Sequence, residues 1–246
     1  MKFLRIIVLS LIFLLPVSNS FGAMITHNPN QTTLLTAGSL VAGVAFNSDG
    51  TKVFTSSTND PNFINEFSLS IPYDISSLAY TGDSERCDMG GRMEATPYDL
   101  EFSSDGMRFF IVTRNAGKNT ADHDKAYGFN LTSPYDVSTC TFASQTTDLD
   151  SPTFTSGSLA GDFDHAGKAN SKHRLQGIEI NNDGTKLFLI WFDHGNADIG
   201  ARLLEYTLST PYDLTTLSLV TTAGISFASP DVSSIYVRNP ASMRFS

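Results

Sequence analysis

Three stretches of this chain read almost alike: Phe46-Asn47-Ser48-Asp49-Gly50-Thr51-Lys52, Phe102-Ser103-Ser104-Asp105-Gly106-Met107-Arg108 and Ile180-Asn181-Asn182-Asp183-Gly184-Thr185-Lys186. Each is followed at a similar distance by Pro-Tyr-Asp: Pro72-Tyr73-Asp74, Pro134-Tyr135-Asp136 and Pro211-Tyr212-Asp213. Two markers recurring in the same order mean one structural unit copied along the chain. That constrains the architecture more tightly than any other feature. It does not identify a reaction.

Each unit reads as four short strands. Strand one is Gly43 to Phe46, Asp99 to Phe102 and Gly177 to Ile180. The Asp-Gly turn follows; Gly50, Gly106 and Gly184 accept positive φ, and Asp49, Asp105 and Asp183 cap the turn with their side chains. Strand two is continuously apolar in the third unit, Leu187 to Phe192, which suits a strand covered on both faces. Strand three alternates, with Phe67 and Leu69, Phe129 and Leu131, and Tyr206 and Leu208 pointing one way. Pro72, Pro134 and Pro211 then fix φ, and Asp74, Asp136 and Asp213 accept from the backbone just ahead. A fourth strand closes each unit. Helical periodicity is absent. Pro97-Tyr98-Asp99 leads into strand one instead and reads as a coincidence of composition.

The units span approximately 41–86, 97–147 and 175–222. Beyond them, Gly224-Ile225-Ser226-Phe227 repeats the strand-one pattern and Ser234 to Val237 repeats strand two. This fourth unit (224–246) lacks its last strand, and residues 31–39 are strand-like with no unit of their own. Placing the N-terminal strand in the last sheet closes a ring of four blades, which removes exposed sheet edges. The expectation is an all-β fold, a small β-propeller of four-stranded antiparallel blades; an open array is the competitor.

The Ser-Asp-Gly-Thr-Lys hairpin, with Tyr206-Thr207-Leu208-Ser209-Thr210-Pro211-Tyr212-Asp213-Leu214, resembles the repeats of secreted bacterial and phage β-propellers. Those are related in pattern to lactonase-like and other seven-bladed-type propellers. The resemblance covers Val41 to about Val237 and implies antiparallel blades around a channel. Its motifs are structural turns, so they speak for fold and hardly for function. The chain departs from the family in having fewer, longer units, and no lactonase catalytic residue maps onto it.

Lys2 and Arg5 precede an apolar run, Ile6 to Pro16, followed by small polar residues. This reads as a signal peptide, residues 1–22, cleaved after Gly22 or after Ser20; an uncleaved anchor is the alternative. No Cys follows the run, so a lipid anchor is not indicated. The expected location is the periplasm or the exterior, with no membrane span after cleavage. The remaining 23–246 form one domain large enough to build its own core. The formal charge of −9, without any basic run, excludes nucleic acid as a partner and fits a soluble, acidic protein.

Cys87 and Cys140 are the two cysteines. A pair in an oxidising compartment suggests a disulfide. The repeat alignment argues against it. Cys140 falls at the start of strand four and Cys87 near the far end of the equivalent strand, a separation of roughly 30 Å when extended against the ~7 Å a disulfide tolerates.

In a meander the Asp-Gly and Pro-Tyr-Asp turns share one end of the sheets, and the irregular loops fall at the other. Those loops carry Arg114, Asn115, Asp122, His123 and Asp124, then Asp162, Asp164, His165, His173 and Arg174, then Asp193, His194, Asn196 and Asp198. Four of the five His fall there. Imidazole with carboxylate is a ligand set for a divalent cation, Ca or Zn, and for acid–base work near neutral pH. Asp, His and Asn are equally at home as solvated turn residues, and no fixed ligand spacing such as His-Glu-x-x-His occurs. No cofactor follows with certainty. Asp162 to Gly167 matches a calcium loop only in part, since the fifth position lacks its acid. Glu101 and Glu179 alternate with apolar neighbours on the innermost strands and read as hydrated channel carboxylates; Trp191 reads as core. No nucleophile elbow or Walker loop occurs. The function expected is a secreted binding or interaction module for a protein, glycan or small molecule, working through this Asp/His-rich face. A metal-dependent hydrolase of lactonase or esterase type and a structural surface or adhesion component are the alternatives.

Overall fold

The computed structural model describes residues 41–57, 63–89, 96–114, 125–146, 149, 173–193 and 201–226. The signal-peptide reading of 1–22, the strand-like segment 31–39 and residues 227–246 lie outside them. The described residues form three antiparallel meanders and no α-helix. The first sheet holds β1 (Val41–Phe46), β2 (Lys52–Ser57), β3 (Phe63–Leu69), β4 (Leu78–Tyr80) and the short β5 (Cys87–Asp88). The second holds β6 (Thr96–Phe102), β7 (Arg108–Arg114), β8 (Ala126–Asn130) and β9 (Thr141–Gln145). The third holds β10 (His173–Ile180), β11 (Lys186–Asp193), β12 (Ala201–Leu208) and β13 (Leu217–Ser226). Strand order in each is sequential, with β4 and β5 both pairing β3 as two pieces of one outer strand. The innermost strands β1, β6 and β10 pack side by side. This is the arrangement of consecutive propeller blades.

The two recurring motifs form one contact. Asn47, Ser103 and Asn181 carbonyls accept from the Gly50, Gly106 and Gly184 amides at 3.1, 2.8 and 2.9 Å. Those glycines take φ of 72°, 67° and 70°. Their carbonyls in turn accept from the Tyr73, Tyr135 and Tyr212 amides at 2.9, 2.8 and 2.9 Å. A Cβ on any of the three glycines would overlap the facing tyrosine ring. The tyrosines themselves sit in the left-handed region, at φ 59°, 54° and 65°. Each is the third residue of a type II turn whose second is the proline. The Asp74 carboxylate then accepts from the Ser76 amide at 2.9 Å and Asp213 from the Thr215 amide at 3.0 Å, opening a single 3-10 turn into the outer strand. The markers recur as a pair because each turn is the other's packing partner.

The core lies between the sheets. The face that the second sheet presents to the first contributes Leu100, Phe102, Phe109, Ile111 and Phe129, packed on Ala45, Phe54 and Ile64. The third sheet repeats this with Ile178, Ile180, Leu187, Leu189 and Tyr206 against Phe110, Val112 and Ala126. Fully burying such side chains contributes about 1.5–3 kcal/mol each. On β11, Leu187 and Leu189 face the second sheet; on the other side Ile190 is buried and Phe188 half-buried.

Two sequence expectations are corrected. Cys87 and Cys140 are joined, with Cα atoms 5.7 Å apart. The alignment placed both residues correctly along their strands, but measured their separation as though they shared one sheet. They belong to neighbouring sheets, and the turn Val137–Thr139 of the second packs against β5 and β3 of the first. The start of one outer strand therefore meets the far part of its neighbour's. Secondly, Gly224, Ile225 and Ser226, assigned by pattern to a fourth unit, extend β13 and pair with Leu204, Leu203 and Arg202 after a register shift.

Candidate functional site

The six turns close one end of the three sheets, so the opposite end is where the chain is free to elaborate. There the inner hairpins finish on the cross-strand pairs Val41–Ser57, Thr96–Arg114 and His173–Asp193. Each inner strand shifts register just below that end, at Val41/Gly43, Pro97/Asp99 and Leu175/Gly177. These are equivalent positions in the repeat. A bulge at each twists the strand end and re-aims its side chains.

The bulges gather a buried polar layer beneath the loop end. Asp99, Gln176, Thr113 and Ser56 are all at most 3% exposed. Asp99 Oδ2 accepts from the Ile178 amide at 3.1 Å, which ties the inner strand of the second sheet to that of the third. Ser56 Oγ accepts from the Gly43 amide at 2.9 Å. A Cβ at Gly43 would lie 2.8 Å from Asp99 Cα, so the first and second inner strands approach too closely there for any other residue. Thr113 takes the Lys125 carbonyl at 2.9 Å through its amide. Gln176, the bulged residue, has its Nε2 buried with no hydrogen-bond acceptor among the described residues. Sequence reading missed this layer. Its one visible signal was Pro97-Tyr98-Asp99, dismissed as composition; it marks the bulge and carries the carboxylate that bridges two blades.

Of the loop residues singled out from sequence, Asp122, His123, Asp124, Asp162, Asp164, His165, His194 and Asp198 lie outside the described residues. His173 and Asp193 are placed by their backbones, directly opposite one another at the loop end of the third sheet. Among the described residues no group of three or more His, Cys, Asp and Glu is arranged to hold a metal ion. Glu179 is 4% exposed, which replaces the hydrated-carboxylate reading at that position with a buried one; Glu101 is half-buried.

The turn carboxylates at the other end each accept from their own turn. Asp49 Oδ1 accepts from the Thr51 amide at 2.9 Å and hydroxyl at 2.6 Å, and Asp183 accepts likewise from Thr185. Those hydroxyl and amide donors hold both carboxyls below the ordinary aspartate value. For Asp105 partial burial works the other way, and the Ser103 hydroxyl, Met107 amide and Arg108 outweigh it. Glu66 differs. It is buried between the first two sheets, and desolvation raises its carboxyl although Lys52 stands 2.7 Å away. The turn aspartates hold their turns together, while Glu66 Oε2 is buried with no hydrogen-bond partner among the described residues.

No protein-family model and no curated protein matches the chain. Among solved structures it is similar to a protein from Lactobacillus plantarum at 12% identity and TM-score 0.45, over 73% of this chain and 40% of that one. It is also similar to the periplasmic gluconolactonase of Pseudomonas aeruginosa, at 15% identity and TM-score 0.42, over 76% of this chain and 40% of that one. A β-propeller domain from Myceliophteria thermophila matches at 11% identity and TM-score 0.37, over 74% of this chain and 42% of that one. The chain thus spans about two fifths of the length of the structures it matches.

Proposed function

We propose that the protein is an extracytoplasmic binding module whose ligand contacts come from the loop end of its second and third sheets. The observation that carries this reading is the division of labour between the two ends. All six recurrent turns lie at one end and are locked against each other. The His- and Asp-bearing segments leave from the other, after Arg114 and Asp193 and before His173. Binding residues concentrate on loops held by a rigid scaffold. The bulged, cross-bridged inner strands are such a scaffold, and His173 opposite Asp193 brings an imidazole-bearing and a carboxylate-bearing position together at its rim. The disulfide supports an oxidising compartment, in keeping with export.

The test is a titration of the purified mature chain with Zn and with Ca, beside its His123→Ala/His165→Ala/His194→Ala variant. Metal uptake lost in the variant, with an unchanged circular dichroism spectrum, supports the loop face. Equal uptake by both chains removes it. Lactone and ester hydrolysis assayed on the same samples decides the catalytic question: turnover abolished by chelator would replace the binding module with a hydrolase.

A further inference from the structure

The two joints between sheets differ where β3 and β8 carry equivalent residues. In β3, Glu66 lies opposite Phe54; in β8, Gly128 lies opposite Phe110 in the same way. The second joint therefore has no carboxylate at the place where the first has one. There Arg108 lies over the Tyr212 ring, 4.8 Å from its centroid, and the Ser144 hydroxyl accepts from the Leu214 amide at 3.2 Å. In the first joint Lys52, the counterpart of Arg108, donates to the Tyr135 carbonyl of the second sheet at 3.0 Å and pairs with Glu66 Oε1 at 2.7 Å.

Glu66 is 3% exposed. Its Oε1 faces Lys52, while Oε2 is buried without a hydrogen-bond partner among the described residues. Two further carboxylates act on it. Asp136, which opens the turn Val137–Thr139 of the second sheet, and Glu85, in the turn Asp83–Glu85 of the first, both oppose its charge. The other charges on elements packed against β3 are turned elsewhere. Asp83 accepts from the Tyr80 hydroxyl at 2.7 Å and stands 3.4 Å from Arg86, and Asp88 of β5 is exposed. An ionised Glu66 thus keeps one oxygen desolvated and without a donor, with like charge on two sides. A neutral carboxyl avoids most of both costs. The Lys52 bond to the Tyr135 carbonyl does not depend on that charge.

We propose that the joint between the first and second sheets is proton-responsive: Glu66 takes up one proton as pH falls, and the two sheets then hold together more firmly. Desolvation, which raises the Glu66 carboxyl above its ordinary value, works in the same direction. With the folded value above the unfolded one, this stabilisation is fully present below the unfolded value and is lost as pH rises through the folded one. The inference is independent of the loop-face reading above.

Hydrogen–deuterium exchange of the mature, disulfide-intact chain tests it, beside Glu66→Gln, which holds the joint in its uncharged form. The ratio of the two chains at each pH cancels the pH dependence of the exchange chemistry. At pH 7.5 the wild type should exchange faster than the variant over β3 and β8. The ratio should close as pH falls to 5, by about tenfold for each unit between the folded and unfolded values. Peptides from β12 should keep a constant ratio. Lys52→Met, which keeps the carboxyl and removes its cation, should move the change to higher pH. A ratio that is the same at both pH values overturns the proposal. So does a change of equal size in β12, which places the effect outside the joint, or a change that Lys52→Met leaves unmoved, which assigns the proton to another group.

Discussion

At the residue scale the fold depends on a few backbone conformations that only certain residues tolerate. Gly106 combines positive φ with a ring stacked where its Cβ would be. Gly106→Ala should therefore cost more than the ~1 kcal/mol typical of a strained glycine position, about 2–3 kcal/mol by urea unfolding. The turn aspartates make a pH prediction. Asp49 and Asp183 have folded-state values below the ordinary 3.8, so their stabilisation is present above that value and lost as pH falls through the lowered one. Melting temperature should drop less between pH 4 and pH 2 in Asp49→Asn than in the wild type. A parallel decline in both would show that the turn carboxylate does not govern acid stability. The positive φ of the glycines and the aspartate caps were legible in the sequence because each acts through its own backbone and the next two or three residues; the Tyr135 ring over Gly106 was not.

At the element scale the unit of stability is the joint between sheets. Lys52 neutralises Glu66, whose side chain is only 5% exposed. Lys52→Met should leave that carboxylate unpaired and cost about 3 kcal/mol at neutral pH. Burial raises the Glu66 carboxyl, so protonating it costs the folded state less than the unfolded chain. The cost should then shrink as pH falls through the raised value, which paired denaturation curves at pH 7 and pH 5 would register. The disulfide clasps the same two sheets. Replacing Cys87 and Cys140 together by Ser should cost about 2–4 kcal/mol, read from the shift in denaturation midpoint. Neither partnership was legible. The sequence analysis assigns Glu66 no role and reads the cysteines as too far apart, because both partnerships depend on which sheet lies next door.

At the scale of the whole molecule the three sheets form an array whose stability is a sum over units and joints. Phe46, Phe102 and Ile180 hold one position in three different surroundings. In dilute protein, Phe102→Ala should cost about 3–5 kcal/mol and Ile180→Ala about 2–4 kcal/mol. Phe46→Ala should cost about 1 kcal/mol, since its ring is already 37% exposed. Equal losses at all three would mean that the first sheet is as fully covered as the others. The sequence by itself determined the repeat, its strands and its turns, since φ preference, side-chain capping and alternation are local properties. Only the tertiary structure decided that the two turn motifs are one contact and that Pro97-Tyr98-Asp99 marks a bulge whose carboxylate reaches the next blade. Only it decided that Cys87 meets Cys140, and that Gly224 to Ser226 belong to the third sheet. The Asp99 and cysteine contacts depend on the rotation between neighbouring sheets, and the turn contact and the β13 extension on strand pairing within one sheet; both bring together positions that no spacing along the chain makes adjacent.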